Sequence, residues 1–164
     1  MIKADVKMNL NFPNFNFHPQ LSEIAKKIIT PDVQGRINQG IDIENKPYRN
    51  LDPKTVRQKQ KYGLRTEPLL ATGQIRKSPK TETVNNTSVR IVLSGIRSTV
   101  RKSEKSITNE KLGDILQNQG VRTKSGKRYF KFFGISEKAE SKAIKFMKKY
   151  IKDAIKRGGR RTIR

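Results

Sequence analysis

The chain has no cysteine, one histidine (His18), few acids and no long apolar run. Without cysteine there are no disulfides, no Cys-based zinc sites and no thiol catalysis. A Ser-His-Asp arrangement would have to use His18, and no serine sits in an elbow motif. The carboxylates are scattered. Asp42 and Glu44 lie close together but flank a turn with no third ligand, and "KTETV" offers a nuclease only Glu82 as a strand acid. No stretch approaches the roughly 20 apolar residues that cross a bilayer. The first residues, "MIKADVKMNLNF", lack the apolar block of a secretory signal, so synthesis inside the cell is expected and the sequons at Asn85 and Asn86 read as a polar hairpin turn. We therefore expect no enzyme, no cofactor, no metal and no membrane partner.

What the chain has is positive charge. Its 164 residues carry 37 Lys/Arg against 14 Asp/Glu, a formal +23. The split is uneven: residues 1–82 hold 15 cations and 8 acids, residues 83–164 hold 22 and 6. Such a chain repels itself and is drawn to polyanions or acidic surfaces. With 33% hydrophobic residues a modest core is possible, and some apolar surface is expected to be covered only by other subunits. The length suits one domain.

The periodicities predict an α+β fold: a small antiparallel β-sheet with packed helices, a long C-terminal amphipathic helix and an extended N-terminal arm. Residues 1–18 form the arm, 19–157 the domain and 158–164 a basic tail. In "VKMNLNFPNFNF" Met8, Leu10 and Phe12 alternate with polar residues, and Phe15 and Phe17 resume after Pro13, as in an edge strand or a docking arm. Residues 19–39 read as a helix in two parts, with Thr30 as a fresh N-cap before Pro31 and an end near Gly40. Asp52-Pro53 opens a short basic helix that Gly63 closes. Residues 80–94 read as a hairpin turning at 85–88. Thr108 caps a helix with Lys111 in place of the usual glutamate, and Leu112, Ile115 and Leu116 face inward up to Gly120. A second hairpin is expected around Ser125-Gly126. In the last helix, 137–157, the apolar row is Ala139, Ala143, Ile144, Met147, Tyr150, Ile151, Ala154 and Ile155, with lysines elsewhere.

Two basic segments are the remaining constellation. Arg97, Arg101, Lys102 and Lys105 lie in one loop, and Arg122, Lys124, Lys127 and Arg128 in another. Loops of this kind hold phosphate backbones without reading sequence. Tyr129 and Phe130 could stack bases, although "RYFKFF" at strand spacing suits a core. No helix-turn-helix or RNA-binding signature is present. A non-sequence-specific nucleic-acid-binding protein of ribosomal or nucleoid type fits the charge and size.

The order of four segments adds a second reading. "GIDIENKPYRNLDPKTVRQKQKYG" is followed by "LLATGQIRKS", "ILQNQG" and "RYFKFFGIS". This series, across residues 20–155, resembles the virion morphogenesis proteins of tailed bacteriophages, the tail-completion and head–tail connector proteins. The matching positions are Gly40, Tyr48, Leu51, Pro53, Thr55, Lys59, Lys61, Leu70, Thr72, Gly73, Arg76 and Ser78, then Gln119, Gly120, Phe133, Gly134 and Ser136. The chain departs from the pattern at Ala71, where an acid is common, at Ile75, where leucine is usual, and at Tyr129-Phe130, in place of Arg-Pro.

The resemblance implies an α+β subunit of a sixfold or twelvefold ring at the virion neck. Its neighbours would be the portal or its adaptor and the tail proteins, and genomic DNA would pass through the channel. Leu69 and Leu70 would then anchor the framework segment, Gly73 would turn it, and Ile75 would enter the first strand with Arg76 and Lys77 outward. The two basic loops would face the DNA without sequence preference, or else meet an acidic neighbour in the ring or stay solvated.

Overall fold

Apolar residues at helical spacing between His18 and Gly40 build one rod. In the computed structural model, which describes residues 3–7, 17–70, 72–85, 88–96, 106–123 and 126–159 (backbone alone at 3–7 and 157–159), helix α1 (His18–Ile24) runs through a π-helical turn (Ala25–Ile29) into α2 (Thr30–Gln39). The fresh start expected at Thr30 is not there. Thr30 has helical φ and ψ of −59° and −47°, and its N–H bonds to the Ala25 carbonyl five residues back. Pro31 explains the widened turn. It has no N–H to give, and its ring would clash with the carbonyl four residues earlier in a regular α-helix. Opening the ladder just before it lets the rod continue. Gly40, at φ +67°, ends the rod in the left-handed conformation that glycine adopts without strain.

The rod covers one face of a three-stranded antiparallel sheet of β1 (Lys3–Lys7), β2 (Pro79–Asn85) and β3 (Ser88–Leu93), in the order β1-β3-β2. Alternation along β3 sends Val89, Ile91 and Leu93 into the core and leaves Ser88, Arg90 and Val92 partly exposed. The register lines up Asp5, Arg90 and Glu82 across the three strands, so the central cation lies between two acid positions. β1 is one of the two edge strands, earlier than the alternating stretch suggested. Met8, Leu10, Phe12 and Phe15 lie outside the described residues, and Phe17 is a core residue.

Helix α3 (Pro53–Lys61) starts after Asp52, as expected, and closes at Gly63 with φ +63°. Leu70 is fully buried and Gly73 turns the chain at φ +70°. Ile75 is buried too, but it sits in the one-turn helix α4 (Gln74–Lys77) and not in a strand. The Ser78 hydroxyl donates to the Ile75 carbonyl at 2.8 Å and closes that turn before β2 begins. Thr108 caps α5 (Asn109–Asp114) by accepting from the Lys111 N–H at 3.1 Å. A second π-helical turn (Ile115–Gln119) follows; Leu112 and Leu116 pack on the core while Ile115 stays half-buried outside it.

A two-stranded ribbon, β4 (Val121–Thr123) and β5 (Gly126–Arg128), then leads to Phe130, Phe132 and Phe133, all buried, and to α6 (Glu137–Gly159). On α6, Ala139 and Met147 are buried and Ala143, Phe146, Tyr150 and Ile151 pack beside them. Ile144 and Ile155, expected in that row, are 41% and 69% exposed. At 3.6 residues per turn they lie about 100° and about 120° round from the centre of the packed row, and Phe146 takes the place on the core side.

One buried cation ties these parts together. Arg36 is 3% exposed, and its Nε donates to Asp32 at 3.0 Å one turn earlier. Its Nη1 and Nη2 donate to the carbonyls of Phe132 and Gly134, both at 2.7 Å. The Ser136 hydroxyl donates to the Asp32 carboxylate and accepts from the Ala139 N–H at 3.2 Å, which caps the start of α6. Arg36→Ala leaves the Asp32 carboxylate without its counter-charge and two carbonyls without their donor, and removing one partner of a buried pair costs about 3–5 kcal/mol. We expect a loss of that size in urea unfolding; a change under about 1 kcal/mol would disprove the hub.

Candidate polyanion interface

The ribbon carries three of the eight basic residues singled out from the sequence. Arg122 and Lys127 are direct cross-strand partners, so they share one face, and both are exposed. Like charges placed opposite each other destabilise a strand pair. Neither makes an ion pair within 4.0 Å with a described carboxylate. Arg128 differs: it is half-buried, and its Nη1 donates to the Asn50 carbonyl at 2.9 Å. It braces the ribbon against the segment before α3. Lys124 and the whole 97–105 loop, with Arg97, Arg101, Lys102 and Lys105, lie outside the described residues.

The root of that loop is described. An antiparallel bridge pairs Ile96 with Thr108, and Asn109 donates its side-chain amide to the Ser94 carbonyl at 2.8 Å. The loop returns where α5 begins, and the ribbon starts where the π-turn ends. Eleven residues, Asn109–Asp114 and Ile115–Gln119, separate the two roots, about 16 Å along the helix axis. The two basic segments therefore spring from opposite ends of one helical strut.

The ribbon is held at its base. Phe130 donates its N–H to the Leu116 carbonyl at 2.8 Å, and the Gln117 side chain bonds both backbone groups of Phe133 at 2.9 Å. Gly120 joins strut to ribbon at φ +76° and ψ +149°, a region open essentially to glycine alone. A methyl group there would lie 2.9 Å from the Tyr129 ring. Tyr129 is 48% exposed beside the cations, whereas Phe130 is buried edge-on to Tyr48 at 5.2 Å between centroids. Of the two aromatics considered for stacking, only Tyr129 presents a face to solvent.

Two hollows flank the ribbon. On one side a groove of about 310 Å³ runs between α3, the segment at Leu69–Ile75, the α5 strut and the ribbon. Lys59 stands at its mouth, its ammonium 2.8 Å from the Glu67 carbonyl, and burial lowers its pKa while Glu67 opposes this. On the other side a hollow of about 540 Å³ brings Asp42 and Glu44 up to Lys127 and Lys131. The sequence shows no acid between Arg122 and Lys131, but the fold partly balances that side of the ribbon. Asp42 is occupied locally, accepting from the Glu44 and Lys46 N–H groups at 2.8 Å.

Among the described residues no group of three His, Asp or Glu side chains converges on a metal-sized site, and no helix is long and apolar enough to cross a membrane. His18 bonds Thr83 across 2.7 Å. The sequence reading missed the Arg36 hub and the groove. The signal that points to the first is an Asp-x-x-x-Arg pair whose arginine falls on the same helical face as Val33 and Ile37. A scan against protein-family models and searches of curated proteins and of solved structures find no match to this chain.

Two substitutions check the ribbon's setting. Gly120→Ala should destabilise by about 1–3 kcal/mol and loosen the ribbon, read as faster amide exchange at 121–128 than in the parent; unchanged exchange would refute the strained junction. Tyr48 has a buried hydroxyl with no hydrogen-bond partner among the described residues, and burial raises its pKa above the ordinary tyrosine value, Asp42 adding to the effect. A raised folded-state pKa gives stability that is complete below about pH 10 and is lost as the pH rises through the folded value. Tyr48→Phe should therefore leave stability at pH 8 unchanged or higher and reduce the loss seen above about pH 10, measured by urea midpoints. A drop at pH 8 would mean the hydroxyl has a partner.

Proposed function

We propose that the chain is a structural virion protein of a tailed-bacteriophage neck, a ring subunit that joins or completes the head–tail junction around the DNA channel. The observation that carries this reading is where its motif residues fall. Gly40 ends the rod, Leu70 enters the core, and Gly73 and Gly120 turn the chain at positive φ. Gly134 and Ser136 lie at the Arg36 hub, and Phe133 just before them is held by Gln117. They build a framework and, among the described residues, surround no reacting group, which suits a protein whose work is to hold its shape in an assembly. The exposed Arg122 and Lys127 pair supports a lumen that holds phosphate without sequence preference.

The same pair also favours the second reading, a non-sequence-specific nucleic-acid-binding protein of ribosomal or nucleoid type. The two separate by stoichiometry and site. In purified particles, quantitative mass spectrometry should count this chain at a fixed copy number at or below that of the portal protein. Absence from particles would overturn the neck reading. Glutamine at Arg97, Arg101, Lys102, Lys105, Arg122, Lys124 and Lys127, with the bracing Arg128 left in place, should lower genome retention and infectivity. Unchanged retention would remove DNA as the partner of these loops.

A further inference from the structure

We infer that the groove beside the ribbon is a docking site for an extended, acidic segment of a partner protein, one that inserts apolar side chains flanked by aspartate or glutamate. The inference stands on the groove itself and does not depend on the neck reading. Its floor is made of Leu51, Leu69, Leu112, Leu116 and Phe130. All but Phe130 are only partly buried, so the core leaves apolar surface facing the groove. Leu69 is held at φ +63°, a conformation costly for any residue but glycine, and such strain gathers at binding sites.

The mouth supplies the charge. Lys59, Arg122 and Arg128 stand around it and Asp52 is the one carboxylate among the lining residues. Lys59 and Arg128 each use a donor on a backbone carbonyl, which fixes their position and leaves further donors. An anionic group flanking an apolar anchor would meet both the floor and the rim.

Size and charge choose the occupant. About 310 Å³ is at the small end of ligand hollows, room for side-chain anchors and too little for a helix laid in whole. A second copy of this chain would bring mostly cations to the Lys59, Arg122 and Arg128 rim, so contacts between copies in a ring would lie elsewhere. Nucleic acid has no use for an aliphatic floor, and the one aromatic there, Phe130, is 5% exposed and offers no stacking face. An extended acidic peptide uses every feature.

The test pans short random peptides on the full chain and measures the enriched peptides against two variants. Val121→Glu places a negative charge on the ribbon lip, where Val121 is 36% exposed. Thr55→Trp fills the groove from the α3 wall without adding a cation. Both sites are solvent-facing enough that thermal unfolding should be unchanged, which is measured alongside. We expect the enriched peptides to pair leucine, isoleucine or phenylalanine with aspartate or glutamate, and to bind each variant at least about tenfold more weakly. Enrichment of acidic peptides without apolar residues would reduce the site to counter-ion attraction and overturn the inference. So would affinities that neither variant moves, no enrichment at all, or myristate or short duplex DNA displacing the peptides through the same residues.

Discussion

Arg36 is the interaction on which the rest of the structure depends. Its guanidinium is taken out of water on the buried face of α2, beside Val33 and Ile37, which is tolerable only because Asp32 balances the charge and two carbonyls accept its other donors. Those carbonyls belong to Phe132 and Gly134, nearly a hundred residues away in sequence. The pair therefore fixes how the last third of the chain lies on the rod. Gly134 sits at φ +150°, a backbone that side-chain-bearing residues rarely adopt, and a Cβ there would also have to push aside the Ile43 Cδ1 tip 2.5 Å away. A buried ion pair is weak evidence of extra stability compared with an apolar replacement. Its effect here is to select one docking of the Phe130–Ser136 segment over other ways of burying three phenylalanines.

From that anchor the geometry runs back to the ribbon. Phe132 at the hub places Phe133 against Gln117 and Phe130 against Leu116, so the ribbon root is clamped to the α5 strut. A two-stranded hairpin is marginal alone in water. Here it stands because its base is clamped and Arg128 braces it on Asn50. The cost of holding Arg122 opposite Lys127 is thus met by packing elsewhere, and the like-charged pair remains ready for an anion. The same arrangement walls the apolar groove, so ribbon and groove are two faces of one structural decision.

Charge sets the outer limit on what this molecule does. At +23 its copies repel one another unless an anion or an acidic surface lies between or beside them. A ring around DNA and a groove for an acidic peptide are both ways of supplying that counter-charge. They draw on different parts of the surface: the phosphate reading on exposed side chains at the ribbon face, the peptide reading on a concave apolar floor with cations at its mouth.

Local signals were legible in the sequence wherever one short stretch decides its own conformation. The rod, its end at Gly40, the Thr108 cap, both hairpins and the long last helix follow from periodicity and glycine or proline placement, and so does the α+β class. The absence of cysteine and the excess of lysine and arginine likewise set chemistry and charge before any folding. Tertiary structure decided what no window of sequence contains. Pro31 reads as a helix start, whereas in the fold the ladder opens into a widened turn just before it and the rod continues, packed on β3 and α6. Ile144 and Ile155 are as hydrophobic as Ile151, yet which of them is covered depends on the angle at which α6 meets the rod. Arg36 looks like a surface residue until two carbonyls some hundred positions later close over it. The groove exists only where four distant segments meet. Propensity and pattern act over a few residues, whereas burial and charge pairing are settled by neighbours that the fold alone brings together.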